Sequence, residues 1–454
     1  MRSLLNNLAK IILIMGLVSG SLASAFAQGR SMNFIRDTEI ENTIRVYSAP
    51  IFTAANLDIK AIRIHLVNDK TLNAFVANGQ QIFINTGLLM QAENPEEVIG
   101  VIAHETGHIT GGHLARFQEG LDAAQAQSIA ALILGVPAAI LTGRGDVAAA
   151  ALALGGHVGQ RSILKYTRSM EQAADQAALD FLDDSQISSD GLLRFLTRVK
   201  DTEKLYSANQ NEYTRTHPLT KNRLDHIENH LQISKYAKDR LPRSFILLHE
   251  RMHAKLRGYL LPESELKAFY PSSDLSVPAQ YARAINLMRQ HKTKDALKIT
   301  NQLIKNSPAD PFFYELKGDI LRDSGELQNS IAPYEKALEI LPWAALLHIS
   351  LAHVQIELNT PEYYAQAITN LRAALRYEPS TLRAWKLLAN AYGRTGDIGN
   401  AALAQAELAD RSGDKSAALN HSAKAQKLLP VGSPGRLRAE DIEYRAKKKS
   451  DAEN

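Results

Sequence analysis

Pro308 and Pro342 lie 34 residues apart, and Pro379 follows 37 residues later. The small residues Ala296, Ser330, Ala367 and Ala401 repeat at 34, 37 and 34. A period in this range fits one pair of helices per unit. Such a unit cannot bury its apolar face alone, so neighbours must stack into a curved solenoid with a concave binding face. The spacing predicts four units from about Ser276 to Ser412 and one further helix to about Leu429. The small residues are read as turn positions. The three extra residues of the third unit are placed in "NTPEYY", between its two helices. The last stretch, "GSPGRLRAEDIEYRAKKKSDAEN", is polar and is read as a disordered tail.

Within these units Tyr314, Gly318, Tyr334, Ala337 and Pro342 stand where a tetratricopeptide repeat wants them, and Trp385, Leu388 and Tyr392 recur in a later unit. The C-terminal half resembles that repeat family, which implies a protein-binding surface.

The N-terminal half has a different grammar. "ENTIRVYSAPIFTAANL" reads as an amphipathic helix and "IRIHLVND" alternates as a strand. "NAFVANGQQIFINTG" reads as two short strands joined at Asn78-Gly79, a strong hairpin signal. A helix then starts with Asn94 as cap, Pro95 at the first position and Glu97 completing a capping box, and it is expected to run to about Ala115.

That helix carries "VIAHETGHIT". Residues four apart on a helix differ by about 40° in direction, so His104 and His108 point the same way and can share one tetrahedral zinc. Glu105 sits about 100° around, beside the metal, where it can take a proton from water and hand it to a leaving amine. A third ligand is needed. In the pattern H-E-x-x-H-x-x-G-x-x-H the third histidine would fall at 114, which is Leu114. His113 lies roughly 180° from His104 on a continuous helix, so packing or capping the helix end suits it better than ligation. Glu171, in the Ala-rich helix "SMEQAADQAALDFL", is the better candidate and makes a two-His, one-Glu site with an open position. Asp175, one turn on, suits the second rank, accepting the free ring N–H of a zinc histidine, His104 by preference. Unpaired acids on a helix this apolar would be costly.

Composition narrows the setting. A net charge of +4 over 454 residues argues against nucleic-acid binding. Arg2 and Lys10 flank the start of "IILIMGLVSGSLASA", which closes with Ala25-Phe26-Ala27; this reads as a signal peptide cleaved after Ala27. No cysteine is present, so the chain forms no disulfide, carries no lipid-anchoring cysteine and must build a metal site from His, Asp and Glu. The expectation is a soluble protein of the bacterial periplasm. "SIAALILGVPAAILTGRGDVAAAALALGG" is nearly free of charge, yet its longest apolar run is too short to span a bilayer. Two readings stay open for residues 128–154: a pair of buried helices, or a hairpin that makes peripheral contact with a membrane or binds apolar substrate.

"AHETGHITGGH", "SMEQAADQAALDF" and "THPLTKNRL", in that order, resemble the HtpX/CAAX-prenyl-protease family of gluzincin zinc metallopeptidases, and "NAFVANGQQIFINTGLL" matches its edge-strand segment. The resemblance covers about Ile40 to Leu231. It implies an α+β zincin-type metallopeptidase domain ahead of the all-α tetratricopeptide-repeat solenoid, with one Zn2+ per chain. It also implies His104, His108 and Glu171 as ligands, Glu105 as catalytic base, Asp175 as supporting acid, and His217 as the loop histidine near the metal. Catalytic roles are thereby expected for Glu105 and His217, the latter as oxyanion donor or as a latch on the metal. A substrate peptide is expected to add as a strand to the edge around Phe75 to Ile84. The resemblance further implies unfolded or misassembled envelope proteins as clients and the outer-membrane assembly machinery as a partner of the repeats. A chaperone or scaffold with a latent protease site is the rival reading. The domain plan is a signal peptide (1–27), a metallopeptidase domain (28–235), linker helices (236–275), the repeats (276–430) and the tail (431–454).

Overall fold

The computed structural model describes residues 33–59, 61–77, 79–116, 119, 167–205 and 212–451. The expected signal peptide, Asn78 and the apolar segment 128–154 lie outside the described residues.

Among the described residues, four short strands form one sheet: β1 (Phe34–Ile35), β2 (Arg63–Val67), β3 (Ala74–Ala77) and β4 (Gln81–Asn85), in the order β1-β2-β4-β3. β3 and β4 pair antiparallel, as the hairpin signal predicts, and Gly79 in their turn has φ +85°, the left-handed region open to glycine. β2 and β4 run parallel. This order leaves β3 at the edge of the sheet. Alternation sends Leu66, Ala74, Ile82 and Ile84 into one core with Ile44, Ile51, Val98 and Ile102. These come from the helices Thr38–Ala54 and Pro95–Thr110.

The Pro95–Thr110 helix is buried from Pro95 through Gly107, which suits its apolar and small residues. Asn94 Oδ1 accepts from the Glu97 N–H at 3.2 Å. The reciprocal half of the expected capping box is replaced: Glu97 accepts from the Asn94 side chain at 3.1 Å and pairs with Arg198 at 3.1 Å. The helix also stops short of Ala115. It ends at Thr110, Gly111 caps it, Gly112 takes φ +61°, and a new helical turn begins at 113.

The four helix pairs follow in order, Val277–Arg289 with Thr293–Asn306, Pro311–Asp323 with Leu327–Ile340, Ala345–Glu357 with Pro361–Tyr377, and Leu382–Arg394 with Ile398–Ser412. Two details differ from expectation. Ala296, Ser330, Ala367 and Ala401 are not turn residues; they are buried inside the second helices, Ala296, Ser330 and Ala401 at the fourth position and Ala367 at the seventh. The extra three residues lengthen a helix rather than a turn, since Pro361–Tyr377 has 17 residues and Leu327–Ile340 has 14.

Two further findings concern the flanks of the repeats. The stretch read as linker helices contains the helix Arg243–Leu260, whose Met252 and Leu256 belong to the peptidase core and whose Ala254 belongs to the first repeat core. It also crosses a buried ionic junction. Lys255 pairs with Asp37 at 2.8 Å and Glu315 at 3.2 Å, and Arg251 with Glu39 at 2.7 Å and Asp310 at 2.6 Å. The helix is thus shared, and it fastens the repeats to the peptidase domain. The stretch read as a disordered tail is helical over Pro434–Asp451. Ala439, Ile442 and Ala446 lie three and four residues apart, on one face, and are buried against the preceding helices.

Candidate metal centre

Helix geometry sets His104 and His108 on one face, and a second helix brings the acids. That helix, 167–184, crosses Pro95–Thr110 closely because residue 107 is glycine: a Cβ there would meet the Ala174 carbonyl oxygen at 2.6 Å. The close crossing delivers Glu171 to both rings. Glu171 Oε2 lies 3.3 Å from His104 Nε2, and Oε1 lies 3.3 Å from His108 Nε2. The two Nε2 atoms are 3.1 Å apart. His217, buried just after the one-turn helix Glu212–Thr216, places Nδ1 3.2 Å from Glu171 Oε1 and 3.4 Å from His104 Nε2. One donor atom from each of these four residues lies within 4.8 Å of all the others.

These separations fit a small tetrahedral cation. Ligand bonds of about 2.0–2.1 Å put neighbouring donors roughly 3.3 Å apart. Nitrogen lone pairs and carboxylate oxygens packed so closely repel one another without a cation between them, so the donor set suits a divalent metal.

Behind the donors stands a second rank. His104 Nδ1 lies 2.9 Å from Asp175 Oδ1, the partner expected for it. Arg223, fully buried, grips Asp175 with a fork, Nε at 2.6 Å and Nη2 at 2.8 Å, and its Nη1 reaches Glu171 Oε2 at 2.9 Å. Arg223 stands within "THPLTKNRL", where the sequence alone assigns it no role. A buried acid pair on one helix demands a buried cation from elsewhere, and that was the available signal. His113 is also near, with Nδ1 2.9 Å from His108 Nδ1, outside the group of candidate ligands.

Electrostatics follows this layout. Burial pulls the His104 ring down, but Asp175 and Glu171 outweigh it and hold the ring up at about 9. Burial pushes His108 down to about 3. Burial alone would raise Glu171 and Asp175, yet the facing histidines keep Glu171 well below the usual carboxylate range, and Arg223 does the same for Asp175 more gently. Glu105 differs from both. It is buried, neither carboxylate oxygen has a hydrogen bond among the described residues, and the nearest ring nitrogen, His217 Nε2, is 3.4 Å away. Burial pushes its pKa up, as suits a group that must accept and return a proton. His217 Nε2 also lies 3.3 Å from the carbonyl of Ala74 on edge strand β3, and Tyr213 stacks on the ring at 4.7 Å.

A two-helix His-His-Glu cluster with a buried glutamate beside it that accepts no hydrogen bond among the described residues is the geometry of metal-assisted peptide hydrolysis. Comparison with known proteins agrees: residues 36–231 match the model of peptidase family M48. Residues 36–231 form an M48 peptidase domain. Residues 281–345 and 362–417 match the tetratricopeptide repeat model. An M48 domain that assembles this cluster makes the chain a metalloprotease, and repeats follow it. Across both parts it is 25% identical over 409 residues to the beta-barrel assembly-enhancing protease of Yersinia pestis, covering 89% of this chain and 82% of that one. The protein of the same name from Escherichia coli (strain K12) is 24% identical over 410 residues, with the same coverage. A shorter match, 26% identical over 189 residues, is to the mitochondrial metalloendopeptidase OMA1 of Schizosaccharomyces pombe and covers 40% of this chain and 50% of that one.

Proposed function

We propose that the chain is a zinc-dependent endopeptidase of periplasmic protein quality control, cleaving misassembled outer-membrane proteins that its repeats recruit. The observation that carries the chemistry is the cluster of His104, His108 and Glu171 with Glu105 buried beside it, its oxygens accepting no hydrogen bond among the described residues. The outer-membrane setting rests on the name of the relatives that align across both domains, and on the signal-peptide pattern.

Each residue then has a task. His104, His108 and Glu171 hold the metal, and Asp175 fixes the His104 ring with Arg223 behind it. When bound, zinc supplies a Lewis acid that polarises the scissile carbonyl and acidifies water. Glu105 takes the proton from the attacking water and returns it to the leaving amine. The substrate backbone pairs with edge strand β3, which brings its carbonyl past His217 and Glu105. His217 Nε2, turned to the substrate, donates to the developing oxyanion.

A second reading of the same site rests on His217 Nδ1. It stands among the donor atoms, so four protein groups converge where a hydrolytic centre needs three and an open position. The structure thus suits a restrained protease that waits for a client, and it gives the chaperone or scaffold reading its support. The experiment is degradation of an unfolded outer-membrane protein by the wild-type chain and by Glu105→Gln. The protease reading expects turnover to vanish in the variant while client binding persists. If both forms rescue client assembly equally and neither cleaves, the scaffold reading replaces it.

A further inference from the structure

The two helical histidines are braced from behind by groups of different chemistry. His104 turns its Nδ1 to a carboxylate, Asp175, at 2.9 Å. His108 turns its Nδ1 to another imidazole, with His113 Nδ1 at 2.9 Å and the ring planes 79° apart. Both histidines aim Nε2 into the cluster. Two facing Nδ1 atoms need one donor and one acceptor. A ring that offers its Nε2 lone pair to a metal carries its proton on Nδ1, so His108 donates and His113 accepts.

The backbone is shaped for this contact. On an unbroken helix residue 113 would lie about 140° around from residue 108, facing away. The helix instead ends at Thr110, and Gly112 takes φ +61°. The His113 ring then folds back over residue 111, where a Cβ would meet its Nε2 at 2.3 Å. His113 is buried by this turn. A neutral imidazole braces His108 without adding charge to a site that already buries Glu105, Glu171 and Asp175 against Arg223.

We propose that His113 is a positioning residue of the metal centre, that it fixes the tautomer and ring plane of His108, and that Gly111-Gly112 are there to let it fold back. The proposal rests on His108 being a metal ligand. Brace residues of this kind typically govern metal affinity by about 10–100-fold.

The test uses the full chain and zinc alone, titrated against a chromophoric chelator, with wild type, His113→Phe, His113→Asn, Gly111→Ala and His108→Ala. His113→Phe keeps the ring and removes the acceptor, and should weaken zinc binding about 10–100-fold. His113→Asn puts Oδ1 where Nδ1 stood and should stay near wild type. Gly111→Ala, which displaces the ring, should resemble the phenylalanine variant. The 15N spectrum of zinc-loaded wild type should show the His108 proton on Nδ1. Wild-type affinity in His113→Phe, or an equal loss in the asparagine and phenylalanine variants, overturns the proposal. Zinc retention by His108→Ala overturns it differently, by removing His108 from the ligand set.

Discussion

Arg223→Met removes a buried charge and keeps most of the side chain's shape, so it isolates what the guanidinium does. Asp175 is held by two contacts, at 2.6 and 2.8 Å, and Glu171 by one at 2.9 Å. Unit charges about 4 Å apart attract by about 4 kcal/mol at the effective dielectric that describes protein sites. Losing one partner of a buried pair usually costs about 3–5 kcal/mol, because the other charge stays buried and uncompensated. Both acids lose their cation here, so the variant should fall in that range. His104 should also lose the fixed acceptor behind it, lowering zinc affinity by about 10–100-fold. Arg223→Lys keeps the charge but cannot form the fork, so it should recover only part of both losses. The shared helix joins the peptidase core to the first repeat core, so a single melting curve would mix them. Native-state hydrogen exchange of the Pro95–Thr110 amides, paired with zinc competition, reads the site directly. An opening free energy within about 1 kcal/mol of wild type, at unchanged zinc affinity, would refute the assignment of Arg223 as counter-ion of the site.

Acid should loosen the contact between the shared helix and the peptidase core. His249 Nε2–H donates to the Ala92 carbonyl at 2.9 Å and His253 Nε2–H to that of Leu89 at 2.8 Å, and burial pushes these rings down to about 4 and about 3. Both folded values lie below the unfolded one of about 6.5, so the stability is complete above that pH and lost as pH falls; by pH 5 each ring costs about 2 kcal/mol. His249→Gln with His253→Gln keeps the Nε2 donors and should flatten the decline in hydrogen-exchange protection of the Arg243–Leu260 helix between pH 8 and 5; a slope equal to wild type would count against this origin. His217→Ala removes the fourth donor from the metal cluster. If His217 is a latch, basal cleavage of an unfolded casein-type substrate should rise at equal zinc content; if it is only an oxyanion donor, activity should fall by a factor equivalent to about 2.7–4 kcal/mol.

Local features were the most legible in the sequence. The Asn94 cap, Pro95 start, Gly79 turn and four helix pairs follow from short-range chemistry, and so does the shared face of His104 and His108. Glu171 and Asp175 were legible because carboxylates on an alanine-rich helix need a reason to be buried. What depended on distant partners was not. Arg223 looks like any exposed helical arginine until the Asp175 and Glu171 carboxylates are placed against it. The Arg243–Leu260 helix carries five charged residues and falls in the stretch expected as linker helices, yet its Lys255 and Arg251 are neutralised by acids from two other parts of the chain. The tail is polar enough to suggest disorder, but three small or apolar residues at helical spacing suffice once the last repeat offers them a surface. The break at Gly111-Gly112 was visible as two glycines, though not that it turns His113 back onto His108.

The central claim is that one zinc is held by His104, His108 and Glu171 and worked by Glu105. The most direct measurement is metal content and turnover on the same preparations of wild type, Glu171→Ala and Glu105→Gln. The account predicts about one zinc per chain in wild type and in Glu105→Gln, with cleavage only in wild type, and neither metal nor cleavage in Glu171→Ala. Stoichiometric zinc with intact proteolysis in Glu171→Ala would contradict it.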